Sequence, residues 1–136
     1  MKVLKINELI KKEPITISNH ETILDATMKL RDESVGLLVV TEGDKVVGVL
    51  SERDIIGAVA SRINLNDKVE NISTKNTISV TSHADAIDAA AIMHNNKIRH
   101  VIVIDDGHLK GVVSIRDLLG ERELLRSLAD SRESWL

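Results

Sequence analysis

An internal repeat organises this sequence. Residues 15–57 align without a gap on residues 78–120, at a constant shift of 63 positions. Two copies of one supersecondary unit predict a pseudo-two-fold arrangement in which each copy buries its apolar face against the other. We therefore expect a functional site at the seam. Identical residues recur in the second copy for Ile15, His20, Asp25, Ala26, Val40, Gly48, Val49, Ser51, Arg53, Asp54 and Gly57.

Composition limits the size of the fold and the character of any ligand site. A chain of 136 residues has the size of one compact domain. Its hydrophobic residues, 43% of the total, are almost all aliphatic, because Phe and Tyr are absent and Trp135 is the only aromatic residue. A planar ligand would therefore lie between aliphatic side chains.

Charge and hydropathy disfavour several classes of protein. The chain has no cysteine, so thiolate chemistry and disulfides are excluded. The net charge is −3 with mixed signs, which disfavours a nucleic-acid or anionic membrane surface. No apolar run approaches the roughly 20 residues of a membrane span, and the first residues lack a signal-peptide pattern. We expect a cytoplasmic protein with no membrane partner.

Each copy has the pattern strand, helix, strand, strand, helix. In the first copy, residues 15–17 predict a short strand, and Thr22 opens a helix that ends near Ser34. A buried strand at 37–40 and a hairpin partner at 46–50 follow, and Ser51 starts the second helix. The same order recurs from residue 78.

Two further segments complete the expected organisation. Residues 3–12 and 67–73 precede the copies and predict matching lead-in helices. We expect the first repeat to occupy residues 1–66 and the second repeat, with a C-terminal helix and tail, residues 67–136. Together they should form one compact module.

A sequence motif that recurs in both copies resembles the motif of a known family. Gly-Val-x-Ser-x-Arg-Asp occurs at residues 48–54 and again at 111–117, and residues 98–105 are similar to the family's second-strand pattern. These motifs resemble those of a cystathionine-β-synthase (CBS) domain pair, also called a Bateman module. The resemblance implies an α/β (α+β) fold of two pseudo-symmetric β-α-β-β-α repeats packed sheet against sheet.

The resemblance also implies a regulatory, non-enzymatic module that needs no cofactor. Two clefts would accept AMP, ADP, ATP or S-adenosylmethionine, with AMP favoured. Asp54 and Asp117 would bind the ribose with Ser51 and Ser114 beside them, and Arg99 and His100 would bind phosphate in the Asp54 cleft. The strands containing Ile17 and Val80 would offer backbone groups to adenine, and the duplicated Arg53 and Arg116 are further candidates.

The residue types are compatible with ligand binding, and they are also compatible with helix capping alone. A strand-to-helix junction offers free N–H groups to an anion, while an aspartate there accepts hydrogen bonds from a ribose diol. However, Ser-x-x-Asp is also a variant of the helix capping box, and Thr22-x-x-Asp25 has the same spacing. Arg99 and His100 are adjacent, so strand alternation would send only one of them into a given cleft.

The two clefts are expected to be unequal. Gly36 and Leu37 occupy the positions that correspond to Arg99 and His100. The cleft with Asp117 therefore lacks this basic pair and should bind phosphate less well.

No catalytic residue or metal ligand is predicted. The glycines at 43 and 48 precede Val49 rather than a lysine, so they do not form a phosphate-binding loop. The five histidines lack metal-ligand spacing, and the pair Asp105 and Asp106 precedes Gly107 in a predicted hairpin turn.

Three functions remain: a sensor of an adenosyl ligand that signals to an unidentified protein, an assembly protein with empty clefts, and, least favoured, a nucleic-acid binder. Apolar helix faces further predict a homodimer. Trp135 is interpreted either as an anchor across that dimer or as part of a frayed end. The candidate contact residues are Ile55, Ile56, Val59, Leu118, Leu119, Leu124, Leu125 and Leu128.

Overall fold

Two similar halves follow each other in the computed structural model, which describes residues 4–120. The predicted order β-α-β-β-α is confirmed in both. The first half comprises β1 (Thr16–Ser18), α1 (Ile23–Glu33), β2 (Leu37–Glu42), β3 (Lys45–Ser51) and α2 (Glu52–Ala60). The second half comprises β4 (Ser79–Val80), α3 (Ala86–Asn96), β5 (His100–Asp105), β6 (His108–Ser114) and α4 (Ile115–Leu119).

Each half contains a three-stranded sheet with the same topology. The strand orders are β1-β2-β3 and β4-β5-β6, and the central strand pairs in parallel with the first strand and antiparallel with the third. Both hairpins shift register at equivalent places, after Val40 in one half and after Val103 in the other. The pseudo-symmetry therefore extends to an irregularity of the backbone.

The central strands are apolar on both faces because both faces are covered. On β2, Leu38 and Val40 pack towards the helices of their own half, while Leu37 and Val39 pack against Ile102 of the other sheet. This double burial explains the unbroken apolar run at 37–40. It also confirms that the repeats pack sheet against sheet.

The lead-in segments contain matching helices, but these are much shorter than the ranges predicted. They are single 3₁₀ turns, at Ile6–Glu8 and Val69–Asn71. The backbone groups around Ile6 bond to the other half, with Ile6 N–H donating to Ala84 O at 2.9 Å. Residue 69 repeats this bond 63 positions later, where Val69 N–H donates to Glu21 O at 2.8 Å. Groups used in this way are not available to an α-helix.

The lead-in turns are exchanged between the halves. Ile6 is fully buried in the core of the second half, with Val80, Ala89 and Met93, whereas Val69 is fully buried in the core of the first half. Each core is therefore completed by the turn that precedes the other half. The division at residues 66 and 67 stays a prediction.

The helix residues expected at a dimer contact separate into two groups. Ile55 and Leu118 pack against the cores of their own halves, which supports an intramolecular role for them. Ile56, Val59 and Leu119 are exposed. The candidates at 124, 125 and 128, and Trp135, lie outside the described residues. Among residues 4–120, no helix is long and apolar enough to cross a membrane.

The exchange of turns makes the two halves depend on each other. We predict that Ile6→Ala lowers the free energy of unfolding by about 2–5 kcal/mol, because it removes a buried side chain from a closed core. Urea denaturation followed by circular dichroism should show one transition, shifted to lower urea.

A matched control is Ile87→Ala on α3, where the side chain is 78% exposed. This change should alter stability by no more than about 0.5 kcal/mol. Two separate transitions in the Ile6 variant would contradict mutual dependence of the halves.

Candidate functional site

A cleft of ≈ 590 Å³ lies at the seam between the halves. The first half contributes the start of α2, including Ser51, Arg53 and Asp54. The second half contributes residues 74–78, before β4, and residues 97–100, where α3 ends and β5 begins. The structure thus brings Asp54, Arg99 and His100 together.

Asp54 is held in a helix capping box. Its Oδ2 accepts hydrogen bonds from Ser51 N–H at 2.9 Å and from Ser51 Oγ–H at 3.2 Å, and its own N–H donates to Ser51 Oγ at 3.3 Å. Ser114 with Asp117, and Thr22 with Asp25, form the same box. The capping interpretation is therefore correct for these carboxylates. Among residues 4–120, none of the Asp54 side-chain bonds uses Oδ1, so this part of the chain leaves that oxygen available to a ligand.

Both Arg99 and His100 line the cleft, contrary to the strict alternation expected of strand residues. The reason is that β5 begins at His100, so Arg99 belongs to the turn before the strand. The carbonyl of Arg99 accepts a hydrogen bond from Ile115 N–H at 2.8 Å. This bond fixes the backbone of the turn beside α4.

The His100 ring reaches across the seam to the first half. A Cβ atom added to Gly36 would lie 3.4 Å from Cε1 and 3.6 Å from Nε2 of that ring. Burial lowers the pKa of His100 below 6.5, and the nearby Arg99 lowers it further, while the carboxylates of Asp117 and Glu52 oppose the shift. Burial has the largest effect, so the imidazole is uncharged near neutral pH.

Sequence reasoning missed several polar residues that line the cleft, among them Glu52, Lys97 and Thr77. Lys97 is the C-cap of α3 and adopts a left-handed conformation with φ 55°. The position of Lys97, two residues before Arg99, is the sequence feature that could have identified it as a lining residue. The comparison between the repeats did not help, because the equivalent residue Ser34 is uncharged.

Other predicted residues lie outside this cleft. Ser114, Arg116 and Asp117 form the equivalent start of α4 and do not line it. The side chains of Ile17 and Val80 are buried in the cores beneath the helices. Near β4 the lining residues are instead Thr77 and Ile78. The ligand-binding roles of all these residues stay predictions.

A second, smaller cleft of ≈ 380 Å³ lies beside the β5–β6 hairpin and includes Asp105 and His108. Asp105 accepts hydrogen bonds from Ser82 N–H and Ser82 Oγ–H, and these bonds lower the pKa of its carboxyl. Asp106 and Gly107 form the turn with positive φ. The turn interpretation therefore holds. Within residues 4–120, no group of three or more metal-ligating side chains is arranged to hold an ion.

A family model described as CBS domain matches the chain twice, at residues 6–61 and 69–124. An uncharacterized 17.7 kDa protein of Acidianus ambivalens is 35% identical over 116 residues, which are 84% of this chain and 70% of that protein. Inosine-5′-monophosphate dehydrogenase of Methanocaldococcus jannaschii is 28% identical over 132 residues, 96% of this chain. The match spans only 26% of the dehydrogenase.

Two solved structures share the fold. A CBS domain protein from Pyrobaculum aerophilum complexed with AMP has a TM-score of 0.83 and 37% identity, covering 93% of this chain and 99% of that one. The CBS domain pair of protein MJ0100, in complex with 5′-methylthioadenosine and S-adenosyl-L-methionine, has a TM-score of 0.81 and 25% identity. That match covers 93% of this chain and 98% of the other.

The buried imidazole generates a prediction about pH. The unfolded chain takes up a proton at His100 near pH 6.5, whereas the folded protein takes it up only at a lower pH. Because the unfolded state binds more protons in this window, stability falls as the pH falls through it. Wild-type protein should therefore lose more stability between pH 7 and pH 5 than His100→Gln, in urea denaturation at each pH. Equal slopes would contradict a buried, uncharged His100.

Proposed function

The chain belongs to the CBS domain family, and from this premise we propose that it is a regulatory module that binds an adenosyl ligand, AMP above all, in the cleft beside Asp54. The observation that carries the proposal is the convergence of Asp54 from one half with Arg99 and His100 from the other. A volume of ≈ 590 Å³ is within the range of small-molecule sites. The complex of the Pyrobaculum aerophilum protein with AMP supports the choice of ligand.

The lining suits each part of such a ligand. Ile56, Ile78 and Ile102 provide aliphatic walls for the adenine ring. Asp54 Oδ1 accepts a hydrogen bond from the ribose while Oδ2 remains in the helix cap. Arg99 donates charge-assisted hydrogen bonds to phosphate.

We propose regulation rather than catalysis. The match to inosine-5′-monophosphate dehydrogenase spans only 26% of that enzyme, so its activity does not transfer to this chain. A ligand in a seam touches both halves and favours the arrangement of the halves that fits it best. An unidentified partner protein would sense that arrangement. A cytoplasmic location and the absence of nucleic-acid binding stay predictions.

We further propose that the module is a homodimer joined through its helices. Leu24 and Met28 on α1, with Ile56 and Val59 on α2, are exposed apolar side chains of the first half. The second half exposes Ile87, Ile115 and Leu119. A two-fold dimer would remove these surfaces from water. If the clefts bind nothing, assembly of this kind is the alternative function.

The ligand proposal predicts that AMP raises the thermal midpoint of the wild-type protein and that Asp54→Ala removes the shift. A ligand at 100 times its dissociation constant stabilises a protein by about 2.7 kcal/mol, which is a visible change. The measurement is thermal unfolding with and without millimolar AMP, ADP, ATP and S-adenosylmethionine.

Asp25→Ala is the matched control for this experiment. Asp25 forms the same capping box on α1, so its loss should cost about 1 kcal/mol of stability. Because Asp25 does not line the cleft, the AMP shift should remain. An AMP shift retained in Asp54→Ala would overturn the site. No shift with any of the compounds would favour the assembly protein.

The dimer proposal predicts that Val59→Glu produces a monomer. The side chain is 58% exposed, so the change leaves the fold intact but places a charge in the proposed contact. Sedimentation at micromolar concentration should show a dimer for the wild type and a monomer for the variant. A monomeric wild type would count against the dimer.

A further inference from the structure

Three cations converge on the cleft from three different elements. Arg53 lies in the first turn of α2, Lys97 caps the end of α3, and Arg99 precedes β5. Among residues 4–120, none of the three side chains forms an ion pair or a hydrogen bond, although Glu52 and Asp54 line the same cleft. Because three cations face two carboxylates, the cleft has an excess of positive charge that attracts an anion.

The repeat provides an internal control for these charges. At the equivalent positions of the first half, Lys97 is replaced by Ser34 and Arg99 by Gly36. Ser34 has a φ of 53°, close to the 55° of Lys97. Both residues donate their backbone N–H to the last turn of the preceding helix. The helix end therefore folds in the same way without a cation, so the charge of Lys97 is not needed for the turn.

We propose that Lys97 is a specificity-determining residue, which makes this cleft select adenosyl ligands that carry phosphate over those that do not. The inference rests on the proposed function and deepens it. A lysine ammonium on a flexible stem brings three donors and a full charge to a phosphate. The same charge repels the sulfonium of S-adenosylmethionine and gains nothing from uncharged 5′-methylthioadenosine.

The adjacent groups make Lys97 a better candidate than His100 for this selection. The His100 imidazole is uncharged near neutral pH because burial lowers its pKa. Asp54 keeps one carboxylate oxygen in the helix cap. Lys97 is exposed, so its side chain is free to follow a phosphate at the rim of the cleft. Its effect should therefore depend on ionic strength.

The test compares the affinities of AMP and 5′-methylthioadenosine by isothermal titration calorimetry. In Lys97→Gln we expect AMP to bind roughly 3- to 10-fold more weakly, while 5′-methylthioadenosine changes by less than about twofold. Lys97→Arg should restore AMP binding. The dependence of AMP affinity on salt should be weaker in Lys97→Gln than in the wild type.

Lys45→Gln is the matched control, because it removes the same charge from an exposed position on β3 that does not line the cleft. It should leave both affinities unchanged. An unchanged ratio of the two affinities in Lys97→Gln would overturn the inference alone. If the wild type binds neither AMP nor 5′-methylthioadenosine, both the proposed function and this inference are overturned.

Discussion

The packing of the two sheets against each other is the contact on which the rest of this structure depends. Leu37 and Val39 of one sheet meet Ile102 of the other, and these strands bury their opposite faces beneath the helices. Because β2 and β5 are fixed on both sides, the chain leaves each sheet at a defined place. The start of α2 and the turn before β5 are consequently brought to one cleft from distant parts of the sequence. Polar groups at that cleft are supported by an apolar interior that contains no aromatic residue among those described.

The residues that recur in both copies differ in role from those that do not. Ser51 with Asp54, and Ser114 with Asp117, make the same hydrogen bonds at equivalent helix starts, so this motif caps a helix in both halves. The basic residues between α3 and β5 have no counterparts between α1 and β2. The backbone is therefore pseudo-symmetric, whereas the distribution of charge on the surface is asymmetric. Such asymmetry allows one scaffold to offer two different environments to small molecules.

The elements that the sequence predicted well are those whose interactions are local or repeated. Helix starts at Thr22 and Ser51 follow from side chains that bond three residues ahead, and the buried strands follow from unbroken apolar runs. The lengths of the lead-in helices were overestimated because Ile6 N–H bonds to Ala84 O and Val69 N–H to Glu21 O, contacts distant in sequence that no local pattern reveals. Lys97 was missed for a related reason. An exposed lysine at a helix end looks like an ordinary solvated charge until the fold brings Asp54 to the same cleft.

The exchanged lead-in turns have a consequence for how such a chain could arise. A single repeat standing alone would have Ile6 or its equivalent outside its own core, and would need that residue from another molecule. Two copies of an ancestral single-repeat chain would satisfy each other by swapping their first segments, as in a domain-swapped dimer. Joining the copies end to end keeps every one of those contacts and makes them intramolecular, which raises the effective concentration of the partner segment. Fusion would also free each copy to diverge, since the two halves no longer need identical sequences to assemble.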